Sequence, residues 1–159
     1  MLVLVAPKSA NAQPNESTQM LVDRVIHRAL NRDYSTTNGV KKISWVPPSA
    51  EDFAEIKSLG EKAETPLAAY IDDKNDFVQL LAIKFIDSLE HQSINTLSPL
   101  TRAATDGHRW VVVRLASMDA LERSHGTDGL AVIESMQEDG DPMVSRRARE
   151  ILIRNLHLK

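Results

Sequence analysis

Glu138 to Leu152 reads EDGDPMVSRRAREIL, an acidic turn and a proline followed by Val144, Ala148 and Leu152 at intervals of four. That spacing places the three side chains on one stripe of an α-helix. The arrangement occurs twice upstream. Glu61 to Leu89, EKAETPLAAYIDDKNDFVQLLAIKFIDSL, carries Val78, Ala82 and Ile86 after an Asp-rich turn, and Val112, Ala116 and Ala120 follow Asp106-Gly107-His108. The stripes begin 34 and 32 residues apart. A period in this range marks units that cannot bury an apolar face alone and must stack on their neighbours. The expected fold is all-α, a solenoid of about three helix pairs with one or two helices before it. Function in such an array resides in surfaces.

The first helix of each pair is marked by small punctuating motifs. Thr65-Pro66 and Ser98-Pro99 offer a capping hydroxyl followed by proline, which suits the first helical position because its missing N–H is not needed there. Asp128-Gly129 holds the equivalent place in the third unit, and Leu67, Leu100 and Leu130 come next. The turns Asp73-Lys74-Asn75-Asp76, Asp106-Gly107-His108 and Asp139-Gly140-Asp141-Pro142 put carboxylates where second helices begin, as the helix dipole favours. Those second helices are predicted over Asp76 to Leu89, Arg109 to Arg123 and Pro142 to Leu156. Ala82, Ala116 and Ala148 are expected at close helix contacts.

Ahead of the repeats, Leu21, Val22, Val25, Ile26 and Ala29 predict an amphipathic helix from about Ser17 to Asn31. Asn38-Gly39 and Pro47-Pro48 break the chain between Asp33 and Pro48, with extended propensity over Val40 to Val46. Trp45 in this connection either pins it to the stack or stands ready for a partner. Ser49 and Asp52 form a capping-box pattern, so a second helix runs through Phe53, Ile56 and Leu59 and stops at Gly60. Residues 17–159 thus read as a single helical-repeat domain. Residues 1–16 read as a tail or the remnant of a signal peptide: Ala10-Asn11-Ala12 has the form of a secretory cleavage site, but the apolar run Leu2 to Ala6 is short and no positive charge precedes it. A signal would imply a periplasmic or secreted protein, and an ordinary tail a cytoplasmic one.

Glu61 to Leu89 and Glu138 to Leu152 resemble HEAT repeats, particularly the short variety of phycobilisome lyases and bacterial scaffold proteins. The likeness runs over residues 59–156. It implies an α-α superhelix of the armadillo and HEAT kind, with second helices lining a concave face that binds protein. The family's arginine after the core valine is irregular here, since Gln79 and Ser145 stand at that place and Arg114 comes close to it. Two enzymatic uses of the same architecture form the competing reading, a bilin-lyase-like subunit and a HEAT-like DNA glycosylase.

Composition narrows the chemistry. The 159-residue chain has no cysteine, 4% aromatics and a net charge of -3. That excludes disulfides and thiolate metal sites and argues against a dedicated nucleic-acid binder, which carries a basic excess. His27, His91, His108, His125 and His157 lack metal-ligand spacing, and Asp139-x-Asp141 lacks the later ligands of a calcium loop. Ser124-His125 has no nucleophile elbow around it, and the paired acids Asp72 and Asp73 read as helix caps. The expectation is a non-catalytic scaffold with no cofactor and no membrane span. Its candidate contacts are Arg109, Trp110, Arg114, Arg146 and Arg149, residue types enriched at binding hot spots, facing a protein or peptide of acidic character.

Overall fold

The computed structural model describes residues 17–31, 34–37, 40–43, 47–89 and 93–156, with only the backbone of 34–37 and 40–43. Helix α1 spans Thr18–Asn31, and strands β1 (Tyr34–Thr37) and β2 (Val40–Ile43) follow as one antiparallel hairpin with Thr37 opposite Val40. Helix α2 (Ala50–Leu59) precedes a 3-10 turn over Gly60–Ala63. Three pairs complete the chain: α3 (Glu64–Tyr70) with α4 (Asp76–Asp87), α5 (Ile94–Thr105) with α6 (Val111–Ser124), and α7 (Gly126–Ser135) with α8 (Pro142–Leu156). The fold is all-α apart from the hairpin. The tail 1–16, the Asn38-Gly39 turn and Trp45 lie outside the described residues.

The pairs stack in register. First helices pack in the order α3, α5, α7, and second helices in the order α4, α6, α8. Helix α1 lies against α3 and α4 at one end of the stack, and Phe53 of α2 sets its ring edge-on to Phe85 of α4 at 5.3 Å. Helix α4 is therefore surrounded, and Val78, Leu80, Leu81, Ala82, Ile83, Phe85 and Ile86 are all buried. No helix among the described residues is long and apolar enough to cross a membrane.

Ala82, Ala116, Ala120 and Ala148 are buried as their stripes require, but the core valine of the middle unit is displaced by one residue. Val113 is fully buried, whereas Val112 is 37% exposed. Val111-Val112-Val113 is a uniform run, so hydropathy alone gives no reason to choose among the three. The core valines are Val78, Val113 and Val144, and the residue after each is Gln79, Arg114 or Ser145, all buried. In the third unit Ile151 is buried and Leu152 only partly so.

Local chemistry sets the helix ends. Ser49 and Asp52 form the reciprocal capping box: the Ser49 hydroxyl accepts from the Asp52 amide, and the Asp52 carboxylate accepts the Ser49 amide at 2.8 Å. Gly60, at φ 55, closes α2 in the left-handed region that glycine adopts without strain. The first helices of the pairs begin earlier than their prolines suggest. Helix α5 starts at Ile94 with Ser93 as its cap, leaving Pro99 in the second turn. Helix α3 starts at Glu64, so Pro66 falls in the first turn, and α7 starts at Gly126. A buried carboxylate explains the earlier start of α5: Glu64, 2% exposed, accepts the Ser93 amide at 3.1 Å and the Ser93 hydroxyl. An anion at the head of a helix gains from both the hydrogen bonds and the dipole. Among the second helices, Asn75 caps α4 and Asp141 caps α8 by accepting the Met143 amide at 2.8 Å. Trp110 stands at the head of α6 and supplies no side-chain cap.

Candidate interaction surface

Each turn between paired helices carries acids, and those of the first and third turns tie one unit to the next. Asp72 accepts from Arg109 at 2.6 Å and from Arg102 at 2.7 Å, both in the following unit. Burial tends to raise the Asp72 carboxyl, but its hydrogen bonds to the two guanidinium groups outweigh that and hold it below its ordinary value. Arg109 also donates to Gln79 at 3.1 Å and to the Ile71 carbonyl. One seam later Arg114 takes over. It donates to the Ala104 carbonyl at 2.9 Å and pairs with Asp139 in the third unit, whose carboxyl the guanidinium holds low. A third link joins α5 to the start of α7, where Thr96 Oγ1 lies 3.0 Å from His125 Nε2.

The five residues expected on a common binding strip therefore separate. Arg114 is 3% exposed and Arg109 is drawn into the seam network, so neither is available to a partner. The reason is geometric: Arg114 directly follows the core valine, a place aimed at the next turn, and the one-residue displacement of α6 puts it there. Arg146 leaves 72% of its side chain exposed and, among the described residues, pairs with Glu150 of its own helix at 3.7 Å. Arg149 reaches back to the Gln137 carbonyl at 2.7 Å. Trp110 is 38% exposed, with its indole edge-on to Phe77 at 5.6 Å.

Around Trp110 a different surface forms. The residue before each core valine is Phe77, Val112 or Met143, and this recurrence lays an apolar ridge across the heads of the three second helices. Trp110, Val112 and Met143 are exposed and Phe77 is half-buried. Helical spacing signals such a ridge once the register is known, since equivalent positions on stacked units align.

Farther along the same helices the surface turns ionic. Asp87 pairs with Arg123, Asp119 with Arg147 at 2.7 Å, and Glu122 with Arg154 and with Asn155 at 2.8 Å. Between α6 and α8 all of these side chains but Asp87 line an open groove of about 410 Å³. Burial pushes the Asp87 carboxyl upward against the pull of Arg123. Each cation in the groove faces a carboxylate, so the groove offers alternating charge rather than a field of one sign. Among the described residues no three potential metal ligands converge. No family model, no curated protein and no solved structure matches the chain.

Proposed function

We propose that this protein is a non-catalytic scaffold of the HEAT-repeat kind, which docks a protein segment along the face made by its second helices. The observation that carries the reading is the ridge of Phe77, Trp110, Val112 and Met143, placed by the repeat itself at one edge of that face. Tryptophan supplies a large rigid contact at small entropic cost, and an exposed one held by an aromatic neighbour is a typical interface anchor. The adjoining charge lattice excludes partners whose charges fall out of step with it.

The partner's character follows from what remains exposed. Arg109 and Arg114 are neutralised inside the stack, which leaves Arg146 and Arg149 as the exposed cations of the expected strip. Beside the ridge stand Asp76 and Asp141 at the heads of α4 and α8. An apolar anchor flanked by basic side chains suits that edge. A photo-reactive residue at the exposed position 76 tests the reading: it captures the partner from the source cell, and Trp110→Ala or Val112→Arg reduces capture with folding intact. Loss of the Trp110 contact weakens binding by about 2 kcal/mol or more. Equal capture by both variants refutes the assignment.

A further inference from the structure

The two ends of the stack are finished differently. At one end α1 and α2 cover the first pair. At the other, no described element covers α8, and Met143, Ile153 and Leu156 are left exposed. Beside them Leu130, Ala131, Leu152 and Leu156 line an open groove of about 420 Å³ between α7 and α8.

The exposed stripe of α8 has an internal symmetry. Met143, Arg146, Glu150 and Ile153 are spaced by three, four and three residues, which places them on one side of the helix, opposite Val144, Ala148 and Ile151. The order is apolar, positive, negative, apolar. Laid against an antiparallel copy of itself and centred on residue 148, the stripe sets Met143 opposite Ile153 and Arg146 opposite Glu150, each pair twice. A two-fold interface demands this self-complementarity, in which residue i meets j and j meets i. Parallel pairing would instead set Arg146 near Arg146 and Glu150 near Glu150.

The geometry points to this end of the stack as a homodimer surface, with α8 packed antiparallel on α8 of a second copy. The other cations of the helix do not oppose it, because Arg147 is held toward Asp119 and Arg154 toward Glu122, both of α6, and Arg149 toward Gln137 and Glu138. Within one chain Arg146 and Glu150 are only 3.7 Å apart across a weak surface pair, so little is lost when each turns to its opposite number. Helix α8 is 15 residues, about 22 Å of contact length. With the neighbouring groove this makes a small interface, for which a dissociation constant on the order of micromolar is expected.

Sedimentation equilibrium of the full chain across a concentration series tests the inference. Wild type shifts from monomer to dimer. Glu150→Arg, which sets like charges face to face, raises the dissociation constant about ten-fold or more. The double exchange Arg146→Glu with Glu150→Arg restores dimerisation, because the stripe stays complementary when both signs invert. The register has an independent readout in a chain with no native cysteine. Met143→Cys with Ile153→Cys forms disulfide-linked dimers under mild oxidation, and neither single variant does. Within one helix those positions are about 15 Å apart, too far to bridge internally. A wild type that stays monomeric throughout, a charge-exchanged variant that fails to dimerise, or single-cysteine variants that link as readily as the double overturns the proposal.

Discussion

Arg114 of α6 grips Asp139 in the turn that leads into α8, with Nη1 to Oδ1 at 3.1 Å and a second contact through Nη2. Its Nε binds the Ala104 carbonyl at 2.9 Å. One buried guanidinium thus holds the end of α5, its own helix and the turn of the third unit together.

Removing that cation takes the partner from a part-buried Asp139 and from the Ala104 carbonyl. Arg114→Ala is expected to destabilise the fold by about 1–3 kcal/mol, the range for leaving polar groups without their hydrogen-bond partner. Arg114→Lys recovers only part of this, because an ammonium cannot make the two-pronged contact and the Nε bond together. Urea unfolding of both variants checks the order. A loss below about 1 kcal/mol for Arg114→Ala would place the group on the surface.

Gly129 is required by close approach rather than by a turn. A Cβ built at this position would lie 2.1 Å from the Leu121 carbonyl oxygen, where α7 crosses the end of α6. Backbone cannot move aside as a flexible side chain can. Gly129→Ala is expected to cost about 1–3 kcal/mol despite the higher helix propensity of alanine. Gly107→Ala, with nothing within 4 Å of its Cβ, serves as the control. Thermal melts of the pair separate the close contact from the general effect of replacing a glycine.

His125 makes the stack sensitive to mild acid. Burial lowers its pKa from the ordinary 6.5, with Asp128 and Glu64 pulling the other way. The folded state therefore takes up this proton less readily than the unfolded chain. Stability is full above the ordinary value and falls as pH drops through it toward the lowered one. The melting temperature should decline as pH drops below the ordinary 6.5, and His125→Gln should flatten that decline. The depressed carboxyls of Asp72 and Asp139 act in a separate window, losing their contribution only as pH falls below the ordinary 3.8. An unchanged slope in His125→Gln would assign the effect to another histidine.

Much of the architecture was legible in order along the chain. The stripes Val78-Ala82 and Val144-Ala148, the Ser49 and Asp52 capping box and the three acidic turns are local patterns. Local patterns report which segments become helices and which face each one buries, because burial of an amphipathic stripe is the main driving force on every unit. Asp141 caps α8 as its place ahead of the helix implies.

What the chain alone left open was decided between units. Three consecutive valines bury equally well, so only stacking on α4 and α8 selects Val113, and that choice turns Arg114 inward and Val112 outward. Adjacent helical residues point about 100° apart, so a one-residue displacement exchanges a binding candidate for a structural pin. The start of α5 was likewise set from a distance, by the carboxylate of Glu64 reaching Ser93 across the seam. Sequence determined the helices and their apolar faces because those depend on neighbours three and four residues away. Tertiary structure determined which charges are buried and which are exposed, because a charge is desolvated only where a partner from another unit meets it.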